Sequence, residues 1–273
     1  MWTQEIDVAS ALARRAGALA LEIAKRHFEV EDKANDEGPV TEADRALNTL
    51  ILDGLRAAFP EDAVIGEESA KTGMVPGPRT WYVDPIDGTI DYIESRPEWA
   101  VMIGLAVEGE AKVGVVYQPN SDRLYVGAEG LASWRDESGS KTPLQARTLT
   151  SPEEAVAVLS RNHPDPKILE LLGQIGVTQS LQHGSVGMKL AVIAEGRSEV
   201  YVNLSGKCYR WDCVAGDAIL RGAGGRVITM TGDDLRYDGP ALRVKEAFLA
   251  VSDGIYPAVA ATCQRRLDLD PSR

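Results

Sequence analysis

Pro85 constrains this chain more than any other residue, because it closes a buried strand pattern in front of a run of acids. Proline lacks an N–H and fixes φ, so the β-branched and aromatic run at 80–83 must stop before it, leaving Asp84 at the strand's open end. Gly88 lets the backbone bend tightly or approach a ligand, and Thr89 stands where a helix can start with unpaired N–H groups. Asp84 and Asp87, on either side of this turn, can converge on a hard divalent cation such as Mg²⁺, which prefers oxygen ligands. The same residues also read as a surface turn in which Asp84 caps the backbone and Asp87-Gly88 is turn chemistry.

Other segments carry acids to comparable places. Apolar residues recur at helical spacing over 5–28, and residues 30–39 read as a charged loop that carries Lys33. Thr41 is an N-cap for a helix running to about residue 58, and Asp44 either closes a capping box or complements the helix dipole. A short strand at 63–65 delivers Gly66-Glu67-Glu68 at its end. Trp211-Asp212 stands just before a helix over 214–221, where Asp212 reads locally as an N-cap.

The first half, 1–150, therefore reads as two helices against a largely antiparallel sheet, with a hairpin turning at 108–110. From 151 to 273 strands and helices alternate, which is a layered α/β pattern. We expect the halves to form one compact catalytic unit, the first carrying the metal site and the second recognising substrate.

Forty-one acidic against 29 basic residues give a net charge of −12. That balance repels nucleic-acid polymers and anionic membranes, whereas a small anionic substrate remains compatible because a bound cation reverses the local sign. No apolar run approaches a membrane span, and the opening residues lack a basic leader pattern. Three cysteines at Cys208, Cys213 and Cys263 fit no complete disulfide framework, and a reducing cytoplasm is the expected location. The histidines at 27, 163 and 183 are too scattered for a metal cluster, and no Ser/His/Asp or Cys/His arrangement stands out.

Three motifs in order, Gly66-Glu67-Glu68, Asp84 to Thr89, and Trp211-Asp212-Cys213-Val214-Ala215, resemble the Mg²⁺-dependent, lithium-sensitive phosphatases. These are the inositol monophosphatase, bisphosphate nucleotidase and fructose-1,6-bisphosphatase superfamily, and the match spans nearly the whole chain. The resemblance implies an α/β/α/β/α sandwich, two to three Mg²⁺ ions, and commonly a homodimer. It implies that Glu67, Asp84, Asp87, Asp212 and the Ile86 carbonyl hold metal. Asp44 with Thr89 would polarise the attacking water, while Gly88, Thr89 and Asp212 would also meet the substrate. A lysine near the position of Lys33 lies close to the metal site in the family.

A small phosphorylated substrate follows from the same resemblance. Ser160-Arg161-Asn162-His163 and Ser185-Val186-Gly187-Met188-Lys189 look like segments of 3'(2'),5'-bisphosphate nucleotidases, which assigns His163, Ser185 and Lys189 to a nucleotide and its second phosphate. A polar loop plus a helix cap is the plainer alternative. Inositol monophosphatases usually carry an acid seven residues before the Trp-Asp aspartate, and here that place is Ser205. Asn162 and Gly216-Asp217 depart from the nucleotidase pattern. An inositol-1-phosphate or other sugar-phosphate phosphatase is thus the alternative substrate reading, and a metal-binding regulatory homologue the non-enzymatic one.

Overall fold

The computed structural model describes residues 2–33, 38–70 and 74–269, with side chains of the last helix described as far as Cys263. Helix α1 (Thr3–Ile23) buries Ile6, Ala9, Leu12, Ala13, Ala16 and Ala20, the stripe its spacing predicts. Where a loop is expected, β1 (Val30–Asp32) pairs antiparallel with β2 (Pro39–Thr41), and residues 34–37 of that expected loop lie outside the described residues. Thr41 then caps α2 (Glu42–Ala58) through the capping box with Asp44.

Strand β3 (Ala63–Gly66) runs parallel to β4 (Arg79–Asp87), which does not end at Pro85. The ladder to β5 (Ala100–Val107) pairs Asp84 with Met102 and resumes at Asp87 with Ala100, so one extra residue is accommodated in a bulge around Pro85 and Ile86. A bulge tolerates a missing donor, and this one turns the backbone between the two aspartates. After the short α3 (Thr89–Ile93), β5 returns through a two-residue turn into β6 (Glu110–Gln118). Glu108 and Gly109 both adopt positive φ there, 50° and 76°. Strands β7 (Arg123–Ala128), β8 (Trp134–Glu137) and β9 (Ser140–Pro143) continue the meander to seven strands.

Side chains of this sheet alternate between two cores. Trp81, Val83, Val101, Ile103, Leu105, Val113 and Val115 pack with α1 and α2, whereas Tyr82, Ala100, Met102 and Val116 face the second half.

The second half builds a five-stranded sheet from β10 (Val156–Ser160), β11 (Gln179–His183), β12 (Val200–Asn203), β13 (Gly225–Thr229) and β14 (Phe248–Ser252) in the order β11-β10-β12-β14-β13. Helices α4 (Pro166–Ile175) and α7 (Tyr256–Leu269) cover its outer face. Helices α5 (Val186–Ala194) and α6 (Arg210–Gly222) lie between the two sheets, which completes the α/β/α/β/α sandwich. Among the described residues no helix is long and apolar enough to cross a membrane.

Helix α6 sits unusually close to the first sheet because three glycines pair across β5, β6 and β7. Gly104 faces Gly114, and Gly114 faces Gly127. A Cβ at Gly104 would lie 2.7 Å from the Ala215 nitrogen, and one at Gly114 would overlap the Ala215 carbonyl. The glycines therefore form a track on which the helix backbone rests, and the start of that helix is fixed over the end of β4.

Further along α6, Asp217 accepts hydrogen bonds from Arg221 Nε at 2.8 Å and Tyr237 Oη at 3.0 Å. Burial nevertheless pushes its carboxyl up to about 6, against the lowering by Arg221 and Tyr237. The folded chain then binds more protons than the unfolded chain between the ordinary carboxylate range and that value, so this contribution to stability is lost as pH rises. Comparing wild type with Asp217→Asn, the wild-type advantage should fall by about 2 kcal/mol between pH 4 and pH 7, since each tenfold difference in proton affinity is worth about 1.36 kcal/mol. Urea denaturation of both proteins across that range is the check, and parallel pH profiles would show that Asp217 is already ionised at pH 4.

Candidate active site

Four elements bring acids together where the two halves meet. Gly66 ends β3 against α2, since a Cβ there would collide with Asn48 and come within 2.8 Å of Leu52. That close approach delivers Glu67 towards Asp44. Asp84 and Asp87 come from the bulge in β4, and Gly88, at φ 100°, makes the left-handed turn into α3 that sets Thr89. Asp212 comes from the first turn of α6, which starts at Arg210 rather than at residue 214. It is consequently the third residue of the helix instead of its N-cap, and its Oδ2 accepts the Tyr209 N–H at 2.8 Å.

Asp44 and Asp84 are held by short local bonds. Asp44 is 1% exposed, and its Oδ2 accepts the Thr41 N–H at 2.7 Å and the Thr41 hydroxyl at 2.6 Å. Its other oxygen, Oδ1, lies 3.4 Å from Thr89 Oγ1, so the capping role leaves one oxygen turned to the site. The Thr89 hydroxyl has a single proton and is also 3.2 Å from the Ile86 carbonyl. Asp84 Oδ1 accepts the Ile86 N–H at 3.0 Å.

Two lysines answer this negative charge. Lys33 Nζ reaches Glu67 Oε1 and Glu68 Oε1, each at 2.6 Å. Burial opposes the charge of Lys33, but the two glutamates outweigh it and hold its pKa above the ordinary value. Lys189 is 1% exposed, and its Nζ donates to the Gly184 carbonyl at 2.9 Å and lies 3.4 Å from the His183 carbonyl. The structure thus turns this ammonium inward, under Asp87, instead of into open solvent.

The start of α5 is likewise engaged. Ser185 Oγ donates to Asp87 Oδ2 at 2.6 Å and the Gly187 N–H donates to the same oxygen at 2.8 Å. Ser185 also accepts the Met188 N–H at 3.1 Å as the N-cap. This helix terminus, where an external phosphate is the sequence expectation, is occupied by a carboxylate of the chain itself. His163 is exposed on the loop after β10, with its own backbone N–H on Ser160 Oγ at 3.3 Å.

The acids are electrostatically costly as they stand. Burial raises Asp44 to about 6 against the hydrogen bonds from Thr41. It also raises Glu67, Asp84, Asp87 and Asp212, and the carboxylates add to one another's shift, with Glu67, Asp87 and Asp212 all acting on Asp84. Among the described residues no three Asp, Glu, His or Cys side chains close around one point as a finished metal cage. The donor set still fits a hard divalent cation, because it consists of mutually repelling carboxylates with the Ile86 carbonyl beside them.

Two arrangements here are not among the sequence expectations. Asp91 is fully buried on α3, and its carboxylate accepts Arg96 Nε at 2.6 Å and Asn162 Nδ2 at 2.8 Å. Asn162 is therefore spent on tying the loop after β10 to the first half. Arg161 adds a second tie through Glu98, with bonds of 2.8 and 2.7 Å, and Glu98 also accepts the Gly184 N–H at 3.1 Å.

A family model described as the inositol monophosphatase family matches residues 1–266. The chain is 36% identical over 236 residues to the 3'(2'),5'-bisphosphate nucleotidase CysQ of Escherichia coli K12, covering 85% of this chain and 93% of the relative. Among solved structures, an inositol monophosphatase from Anabaena superposes with a TM-score of 0.79 at 27% identity, covering 96% of each chain. CysQ from Bacteroides thetaiotaomicron superposes with a TM-score of 0.76 at 25% identity, over 91% of this chain and 97% of that one.

Proposed function

Because the chain belongs to the inositol monophosphatase family, we propose that it is a Mg²⁺-dependent phosphoric monoester hydrolase acting as a 3'(2'),5'-bisphosphate nucleotidase. It converts adenosine 3',5'-bisphosphate and water to AMP and phosphate. The observation that carries the substrate is the 36% identity to the E. coli nucleotidase over 85% of the chain. The inositol reading is weakened at Ser205, whose hydroxyl bonds to Asn203 Oδ1 at 2.9 Å and receives the Lys207 N–H at 3.1 Å. A short side chain committed to its own turn replaces the acid that would grip a ring hydroxyl.

Glu67, Asp84, Asp87, Asp212 and the Ile86 carbonyl would hold the metal, two to three ions in this reading. When bound, Mg²⁺ supplies the positive charge that offsets the anionic phosphate oxygens and the acids together. The protein's own work is to place the proton and the ester. Thr89 Oγ1 takes the proton of the attacking water as it passes its own to Asp44 Oδ1, the oxygen left free by the capping box. The charges of Lys33 and Lys189 act against the burial that raises Glu67 and Asp87. Residues 1–150 supply most of the acids and residues 151–273 supply Asp212 and the supports of Asp87, so we read the halves as one catalytic unit.

Side-by-side rates on adenosine 3',5'-bisphosphate, inositol 1-phosphate and fructose 1,6-bisphosphate test the reading. The nucleotide should lead in kcat/KM by at least about tenfold, the low end of what one charged hydrogen bond to a second phosphate provides. Inositol 1-phosphate in first place would move the chain to the sugar-phosphate branch.

A further inference from the structure

If Lys189 is turned inward, the second phosphate of a bisphosphate substrate needs another cation. Strands β10, β11 and β12 run parallel, so the loops that follow them, 161–165, 184–185 and 204–209, emerge at one edge of the sheet. Ser185 on the second of these loops bonds Asp87, which fixes that edge against the acids. The third loop leads directly into the helix that presents Asp212.

That third loop is braced as few surface turns are. Asn203 Oδ1 accepts the Ser205 N–H at 3.0 Å and its hydroxyl at 2.9 Å, and Ser205 Oγ in turn accepts the Lys207 N–H at 3.1 Å. Arg243 Nε donates to the Gly206 carbonyl at 2.7 Å, and the Val244 N–H donates to the Cys208 carbonyl at 2.8 Å. Gly206 takes a φ of 57° with the Lys245 carbonyl close behind it. Lys207, Arg243 and Lys245 are all exposed, and none of them joins an ion pair among the described residues. In a chain of net charge −12 this is an unneutralised basic turn beside an acid-lined site.

We propose that Lys207, held on the turn between β12 and α6, binds the second phosphate of the nucleoside bisphosphate and so determines its selection over monophosphates. The inference rests on the nucleotidase reading above. The nucleoside would span from the hydrolysed ester to this turn, and the loop that carries His163 follows the neighbouring strand. Lys207 is among the cations that disfavour a charge on His163, after burial and Lys189, which places its ammonium within electrostatic reach of that loop. An exposed ammonium without a carboxylate partner gives up only water when it takes an anionic oxygen, and the bond is charge-assisted.

The test uses adenosine 3',5'-bisphosphate and adenosine 3'-monophosphate, which share the hydrolysed ester and differ only in the second phosphate. Lys207→Ala should lose about 10- to 100-fold in kcat/KM on the bisphosphate, mostly through KM, and at least about tenfold less on the monophosphate. Lys207→Arg should recover most of the loss, and thermal unfolding should be unchanged because the side chain is exposed. A wild-type enzyme that prefers the bisphosphate while Lys207→Ala loses equally on both substrates, or on neither, overturns the assignment alone. A wild-type enzyme with no preference for the bisphosphate overturns the nucleotidase reading, and this assignment with it.

Discussion

Asp84→Asn, Asp87→Asn and Asp212→Asn should each abolish nearly all phosphate release while leaving the fold intact. Each change removes a charge that would offset a divalent cation but keeps the size and the acceptor oxygen used locally, as in the bond from Ile86 N–H to Asp84 or from Tyr209 N–H to Asp212. Burial raises the pKa of all three, so their ionised forms are disfavoured in the chain alone and the amides should not destabilise it. Losing several kcal/mol of charge stabilisation corresponds to about a thousandfold or more in kcat/KM. Kinetics beside circular dichroism separates this from a capping role. If the three acids were only caps and turns, activity would persist and stability would drop by about 0.5–2 kcal/mol.

Thr89→Ala should lower kcat by about 10²–10⁴-fold with little change in KM, the usual range for a positioned proton transfer. Thr89 Oγ1 stands 3.4 Å from Asp44 Oδ1, too long for a strong bond and short enough to tighten when a water is placed against it. Asp44 Oδ2 is already committed to Thr41, so only one oxygen is open to the proposed relay. If Thr89 and Asp44 act as one unit, combining Thr89→Ala with Asp44→Asn should cost little more than either change alone. Multiplying losses in the double variant would show that the two residues act separately.

The acid set was legible in the sequence because its residues lie in short motifs at element ends, where local rules apply. Thr41 with Asp44 closes the capping box that is one of the two readings of that spacing, and the turn at 108–110 follows from its own glycine. What escaped depends on contacts between distant segments. Pro85 reads as the end of a strand, yet β5 offers a partner on the far side and the chain answers with a bulge. Asp212 reads as an N-cap because the helix pattern starts at Val214, while the Tyr209 backbone bond adds a turn before it.

Two further signals are present in the sequence. Glycines at 104, 114 and 127 interrupt strand patterns, which marks close approach of another backbone. Only the strand register shows that they line up under α6. Helix α5 is buried from Gly187 to Ala194, so a lysine within that apolar run has no polar face through which to leave. Its inward ammonium follows from that pattern. The basic turn at Lys207 could not be read from the sequence, because Asn203, Arg243 and Val244 come together there only in the fold.

We propose that phosphate release depends on a divalent cation held by these buried acids. The most direct measurement is phosphate release from adenosine 3',5'-bisphosphate by enzyme stripped with a chelator, then with Mg²⁺ restored. We expect no turnover after stripping and recovery of the original rate on adding Mg²⁺; an undiminished rate in metal-free buffer would contradict the account.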